Sequence, residues 1–221
     1  MLSVHRRYAV DVTSLRAGNI VVSTTGCWRT RITAAVVLRP TAPGNIVEPS
    51  YISADVTAPA GDIASTVSLS GDGIEDFQWC YYLDPYGVHK VANTQVSWTE
   101  TTAQGGFDFG EGLDSASTAF TVKGKGLAQF TATRSGSYVT INTLTRYFGE
   151  QPAAKYVPLR SAVTVQFLPA GRTGWVTKGR LAPNSVGRAA AKIYAPSVGY
   201  WRILAAPTAK SWDARSAVTR R

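Results

Sequence analysis

The chain is poor in the residues that do chemistry. Among 221 residues it holds two histidines, His5 and His89, two cysteines, Cys27 and Cys80, and a single methionine. A histidine-based catalytic or zinc site therefore has few parts to draw on, and His89 has no thiol or carboxylate at regular metal-ligand spacing. No Gly-x-Ser-x-Gly elbow, His-Glu-x-x-His helix or phosphate-binding loop ending in Gly-Lys-Ser/Thr occurs, and Gly124-Lys125-Gly126 reads as a linker. These absences lead us to expect no enzyme and no cofactor. No apolar run approaches the roughly 18 residues of a membrane-crossing helix, so no transmembrane segment is expected. No stretch sustains an apolar stripe at helical period either. After the basic pair Arg6-Arg7, the first ten residues, Met1 to Val10, lack the apolar core of a secretory signal.

What is present points to strands. Hydrophobic residues make up 44% and charged residues 17%, which supplies apolar surface for packed cores. Val, Thr, Tyr and Trp recur in short runs separated by Gly, Pro, Asn and Asp. The length suits two sandwiches of about 100 residues. In the first half, strands are expected at Asn19–Ser23, Trp28–Leu38, Tyr51–Thr57, Thr66–Leu69, Phe77–Leu83, Thr94–Thr99 and Ala119–Val122. Asp84-Pro85-Tyr86-Gly87 reads as a turn joining neighbouring antiparallel strands, and Gly105–Asp114 as an acidic, Gly-rich loop. In the second half seven strands are expected, at Leu127–Thr133, Tyr138–Thr145, Ala162–Phe167, Trp175–Leu181, Arg188–Tyr194, Tyr200–Ala205 and Ser216–Thr219. The fold class read from this pattern is all-β, with two immunoglobulin-like antiparallel β-sandwich domains.

Charge divides the chain unevenly. Residues 1–123 carry eight Lys and Arg against twelve Asp and Glu, whereas residues 124–221 carry fifteen against two. We therefore expect an N-terminal arm at 1–17, an acidic sandwich at 18–123 and a basic one at 124–221.

In the basic half, Val139-Thr140-Ile141-Asn142-Thr143-Leu144-Thr145-Arg146, then Val163-Thr164-Val165-Gln166-Phe167, Gly174-Trp175 and Gly199-Tyr200-Trp201-Arg202 follow one another. This succession resembles the repeated pattern of secreted actinobacterial tandem immunoglobulin-like proteins, over residues 127–221. The resemblance implies a sandwich fold and an extracellular or cell-surface setting, and brings no catalytic residues with it.

Cys27 and Cys80 allow one bridge or two free thiols. Alternation puts Cys80 opposite the apolar register of Phe77, Trp79, Tyr81 and Leu83, so a bridge would lie near a sheet edge and not between the sheets. The same alternation sends Trp79 and Tyr81 to one face and Tyr82 to the other. Carboxylates gather at Asp72, Glu75 and Asp76 and again at Asp108, Glu111 and Asp114. Such clusters can offer oxygens to calcium, but neither has EF-hand spacing, and solvated loops are the preferred reading. For His89 a surface or loop-packing role is expected.

The basic half offers the leading binding candidates: Arg172, Lys178, Arg180, Arg188, Lys192 and Arg202. A field with so few acids attracts anionic polymers or an acidic protein surface. Without a recognition motif, specific nucleic-acid binding is not expected. The opposite charges of the two halves also suggest self-assembly between copies. The function expected is thus a non-enzymatic structural or binding module at an extracellular or cell-envelope surface. A bacteriophage virion accessory protein, a capsid decoration or tail component built without export, is the alternative. A carbohydrate-active enzyme is the third reading, and it needs two carboxylates across a cleft.

Overall fold

Alternating inward and outward residues with frequent β-branched and aromatic side chains make strands, and strands are what most of the described residues form. The computed structural model describes residues 9–69 and 73–221. Among them no helix is long and apolar enough to cross a membrane. Contacts divide the chain into two units, one of residues up to Ile20 with Gly26–Val122, the other of Val21–Thr25 with Lys123–Arg221. Both are immunoglobulin-like antiparallel sandwiches.

Up to the unit boundary the strands are β1 (Val10–Ala17), β2 (Ile20–Val22), β3 (Cys27–Leu38), β4 (Ile46–Thr57), β5 (Ile63–Ser68), β6 (Ile74–Cys80), β7 (Gly87–Thr101), β8 (Phe107–Asp114) and β9 (Thr118–Gly124), the ends of β2 and β9 falling among the residues of the second unit. One sheet runs β1-β3-β6; the other runs β2-β9-β7-β4-β5, with β8 also on β7. Buried Val10, Val12 and Leu15 of β1 face the core, so residues 10–17 belong to the sandwich and not to an arm. A register shift between Val12 and Ser14 interrupts the period of two there. β4 runs through Pro49 with a shift between Pro49 and Tyr51, the bulge at which a proline can be accommodated in a strand.

Two turn assignments change. β6 and β7 lie in different sheets, so the Asp84–Gly87 turn crosses the sandwich instead of closing a hairpin. Asp84 Oδ2 accepts the Cys80 N–H at 2.7 Å and Trp79 Nε1 donates to Pro85 O at 3.2 Å, which pins that crossing. Leu83, expected in the apolar register, is 82% exposed because β6 ends at Cys80 and the chain turns. Gly105–Asp114 is mostly strand: β8 pairs with residues 94–101 of β7. A Cβ at Gly110 would sit 2.2 Å from the Trp98 ring, so glycine here leaves room for an indole rather than marking a loop.

The second unit comprises β10 (Gly126–Ser135), β11 (Tyr138–Phe148), β12 (Tyr156–Pro158), β13 (Val163–Pro169), β14 (Val176–Leu181), β15 (Arg188–Tyr194), β16 (Gly199–Ala205), β17 (Ala214–Arg215) and β18 (Thr219–Arg220). One sheet holds β10, β11, β12 and β15; the other runs β14-β13-β16 with β17 and β18 along the far side of β16. Its core includes Val139, Ile141, Val163, Val165, Phe167, Trp201 and Ile203. Gly124 is no loose linker. Its N–H donates to Lys210 O and its carbonyl accepts from Trp212, both at 3.0 Å, and a Cβ there would meet Phe148 O at 1.9 Å.

Both units share a strand plan. β1-β3-β6 matches β10-β11-β15, and β5-β4-β7 matches β14-β13-β16, each followed by a position that two strands share, β8 and β9 beside β7 in one unit and β17 and β18 beside β16 in the other.

A disulfide joins Cys27 and Cys80, directly opposed on neighbouring strands β3 and β6 with a Cα–Cα distance of 4.0 Å. It lies within one sheet, β6 being its edge. Closing a loop across a sequence separation of 53 contributes about 2–4 kcal/mol by restricting the unfolded chain. Calorimetry of Cys27→Ala/Cys80→Ala should show the first unit melting lower by a matching amount and the second unit's transition unmoved; an unchanged first transition would remove the bridge as a stabilising element.

Candidate functional site

β13 and β16 are the centre of the five-stranded sheet. Their inward residues, Val163, Val165, Phe167, Trp201, Ile203 and Ala205, are all buried, with the Phe167 and Trp201 ring centres 4.7 Å apart. The period of two then sends Gln166, Tyr200 and Arg202 to the outer face. Residues directly opposed in an antiparallel ladder share a face. The register sets Arg180 against Thr164, Arg215 against Leu204 and Arg220 against Tyr200, which gathers four arginines on one sheet surface.

Arg202 is half-buried at its middle. Its Nε donates to Gln166 Oε1 at 2.7 Å, and its guanidinium carbon lies 4.0 Å from the Trp175 ring centre. The edge and one face of the guanidinium are thereby fixed, a geometry that lysine could not reproduce. Among the described residues its two Nη groups have no hydrogen-bond partner. Burial first, and then the charge of Arg215, lowers the Arg202 pKa from its ordinary value. A guanidinium stays protonated in any case, so both effects describe a cation that an incoming anion would stabilise. Arg220 stands 6.0 Å from the Tyr200 ring centre.

The six basic residues singled out from sequence do not form one surface. Arg180 and Arg202 belong to the face just described. Lys178, on the same edge strand, holds its ammonium 5.7 Å from the Phe167 ring centre, and Arg172 sits in the turn between β13 and β14. Arg188 and Lys192 lie on β15 in the other sheet, where Lys192 stands 4.9 Å from the Tyr138 ring centre. Arg215 and Arg220 escape sequence reading because their strands are two residues long. The Gly-Tyr-Trp-Arg alternation did hold a signal, since it places Tyr200 and Arg202 on one face.

The carboxylate clusters disperse. Asp72 lies outside the described residues. Asp76 pairs with Arg31 across the β3–β6 ladder, Nε to Oδ1 at 3.3 Å, and Glu75 is its strand neighbour, on the opposite face. Asp108, Glu111 and Asp114 are strung along β8, six residues or about 20 Å of strand from first to last. Asp114 accepts N–H groups from Val12 at 2.9 Å and Ala116 at 2.7 Å. Among the described residues no group of three His, Cys, Asp or Glu could hold a metal ion. A hollow of about 450 Å³ bounded by Tyr51, Gln95, Val96, Ser97, Glu111, Gly112 and Leu113 contains one carboxylate, where glycoside chemistry uses two.

Two buried polar groups are structural. Glu100, 2% exposed, accepts Thr41 N–H and Asn45 Nδ2, each at 2.7 Å, and Thr41 Oγ1 at 2.9 Å. These bonds, that of Asn45 foremost, hold its pKa below 4.5. His89 is fully buried, not in a surface or loop-packing position, and stacks on Phe120 with ring centres 5.1 Å apart. Neither ring nitrogen has a hydrogen-bond partner of normal geometry.

No family model and no curated protein matches the chain. Solved structures that align with it include the D0-D1 domain of intimin, 14% identical, TM-score 0.27, covering 95% of this chain and 97% of that one. A chicken interferon gamma receptor alpha chain aligns at 12% identity and TM-score 0.35, covering 90% and 95%. The BSP domain of a biofilm associated protein aligns at 13% and TM-score 0.27 over 96% of this chain, which spans 29% of that structure. Likeness this low says nothing about what the chain binds.

Burial lowers the His89 pKa from 6.5, outweighing the Gly87 backbone and the charge of Asp84, which act the other way. As pH falls below 6.5 the unfolded chain binds a proton that the fold resists, so the stability from neutral His89 is complete above 6.5 and declines below it. Denaturant titrations from pH 7.5 to 5 should show this decline, and His89→Phe, keeping a ring against Phe120, should flatten it; parallel curves for the two proteins would exclude His89 as its source.

Proposed function

We propose that this chain is a non-enzymatic binding module of an extracellular or cell-envelope surface, and that its second unit holds an anionic surface polymer on the outer face of the five-stranded sheet. One observation carries the reading: Arg180, Arg202, Arg215 and Arg220 share that face, with the Arg202 guanidinium fixed between Gln166 and Trp175. Only two acidic residues occur in 124–221, so the field over the face is weakly opposed. Trp175 and Tyr200 add flat apolar surface beside the cations, which suits a ring-bearing polymer with regularly spaced anions. The Cys27–Cys80 disulfide supports the setting, since such bridges persist outside reducing compartments.

Dextran sulfate is a sufficient probe, with affinity followed against salt concentration. Neutralising three charges at roughly 0.5 kcal/mol each predicts about tenfold weaker binding for Arg202→Gln/Arg215→Gln/Arg220→Gln. Arg188→Gln/Lys192→Gln, on the other sheet, should bind nearly as the unaltered protein does. Equal losses in both variants would reduce the interaction to net charge, and no loss in the triple variant would remove this face from the reading.

A further inference from the structure

Sheet edges offer unpaired backbone N–H and C=O groups, and native proteins usually blunt them with lysine, proline or a covering element. β8 has neither residue, and no described strand pairs with the side facing away from β7. The Trp98 indole fills the space on its inner side at Gly110, and Phe107, Phe109 and Leu113 point outward at 66%, 83% and 65% exposure. Asp114 is engaged by Val12 and Ala116, leaving Asp108 and Glu111 to give this edge its charge. The edge is apolar, acidic and ready to pair.

The opposite chemistry stands on another edge of the same chain. β14 pairs only with β13 among the described strands. It presents exposed Lys178 and Arg180 with Val176 at 48% exposure. We infer that β8 of one copy docks along β14 of a second copy, extending the sheet from one molecule into the next. The bulge in β14 leaves Arg180 on the outer face and carries Val176 to the inner one, so an antiparallel register with Phe109 opposite Arg180 sets cation against ring while the acidic edge of β8 runs along the basic edge of β14. Backbone bonds provide the attachment and the side chains the selectivity. Docking of β8 on β14 fits better than a β8–β8 pairing, which would bring two acidic edges together. Because each copy offers both edges, the contact is heterologous and repeats, closing into a ring or continuing as a fibre.

Sedimentation velocity of the full chain tests this. Assemblies should grow past the dimer as concentration rises and shrink as salt is added. Phe109→Lys/Glu111→Lys and Lys178→Ser/Arg180→Ser, all at exposed positions, should each sediment as monomers with unchanged melting. Mixed together they should form one-to-one dimers and nothing larger, since the mixture holds one working β8 and one working β14 per pair. A chain that stays monomeric at every concentration, variants that assemble alone, or a mixture that stays monomeric would each overturn the inference. The β8 variant keeps all four arginines of the second unit's sheet face, so its dextran sulfate binding tests the proposed function separately.

Discussion

The burial of Trp201 between the two sheets of the second unit governs which of its side chains reach solvent. The indole is fully buried against Phe167, and losing a core side chain of this size typically costs 3–5 kcal/mol. Its Nε1 is buried without a hydrogen-bond partner, a cost of about 1–3 kcal/mol that the packing of the ring outweighs. With Trp201 inside, Tyr200 and Arg202 have only the outer face. A one-residue slip of β16 would bury the arginine and expose the indole. The chemistry of the candidate face is therefore held by hydrophobic packing on its reverse side.

The two units show how far one scaffold tolerates a change of surface. They share the same central strand order, down to the paired strands beside β7 and β16, yet one carries twelve acids in the first 123 residues and the other two acids among fifteen basic residues after them. Inward positions answer to packing alone, and outward positions are free to take either sign. Where the outward residues of a strand are also large and apolar, as on β8, the scaffold has no use for them within the described fold.

The second unit was largely legible in the sequence because its alternation is clean: Val163, Val165 and Phe167 go in and Thr164 and Gln166 go out, and six of the seven expected strands have counterparts, the seventh, Ser216–Thr219, falling mostly in the gap between β17 and β18. β8 was hidden because glycines at 110 and 112 and interspersed acids look like loop composition, and only the position of Trp98 explains them. β1 was hidden by the bulge at Val12 and Ser14, which breaks its period. The candidate face was half legible. Arg180 and Arg202 could be picked out, but sequence alone does not assign strands to sheets, so Arg188 and Lys192 were grouped with residues of the other sheet. His89 shows the limit of counting polar residues, since an imidazole can serve as a flat ring stacked on phenylalanine.

The Glu100 carboxylate reaches out of β7 to fasten the segment between β3 and β4 at both Thr41 and Asn45, while Asn45 Oδ1 in turn accepts the Ala103 N–H at 3.1 Å. Two prolines, at 40 and 43, would otherwise leave that segment few backbone donors with which to hold itself. The sheets contribute one side chain and the loop supplies the rest. A loop anchored in this way is modular: foreign residues placed between Thr41 and Asn45 would be presented at the tip of a rigid sandwich, with the strands beneath indifferent to what they spell.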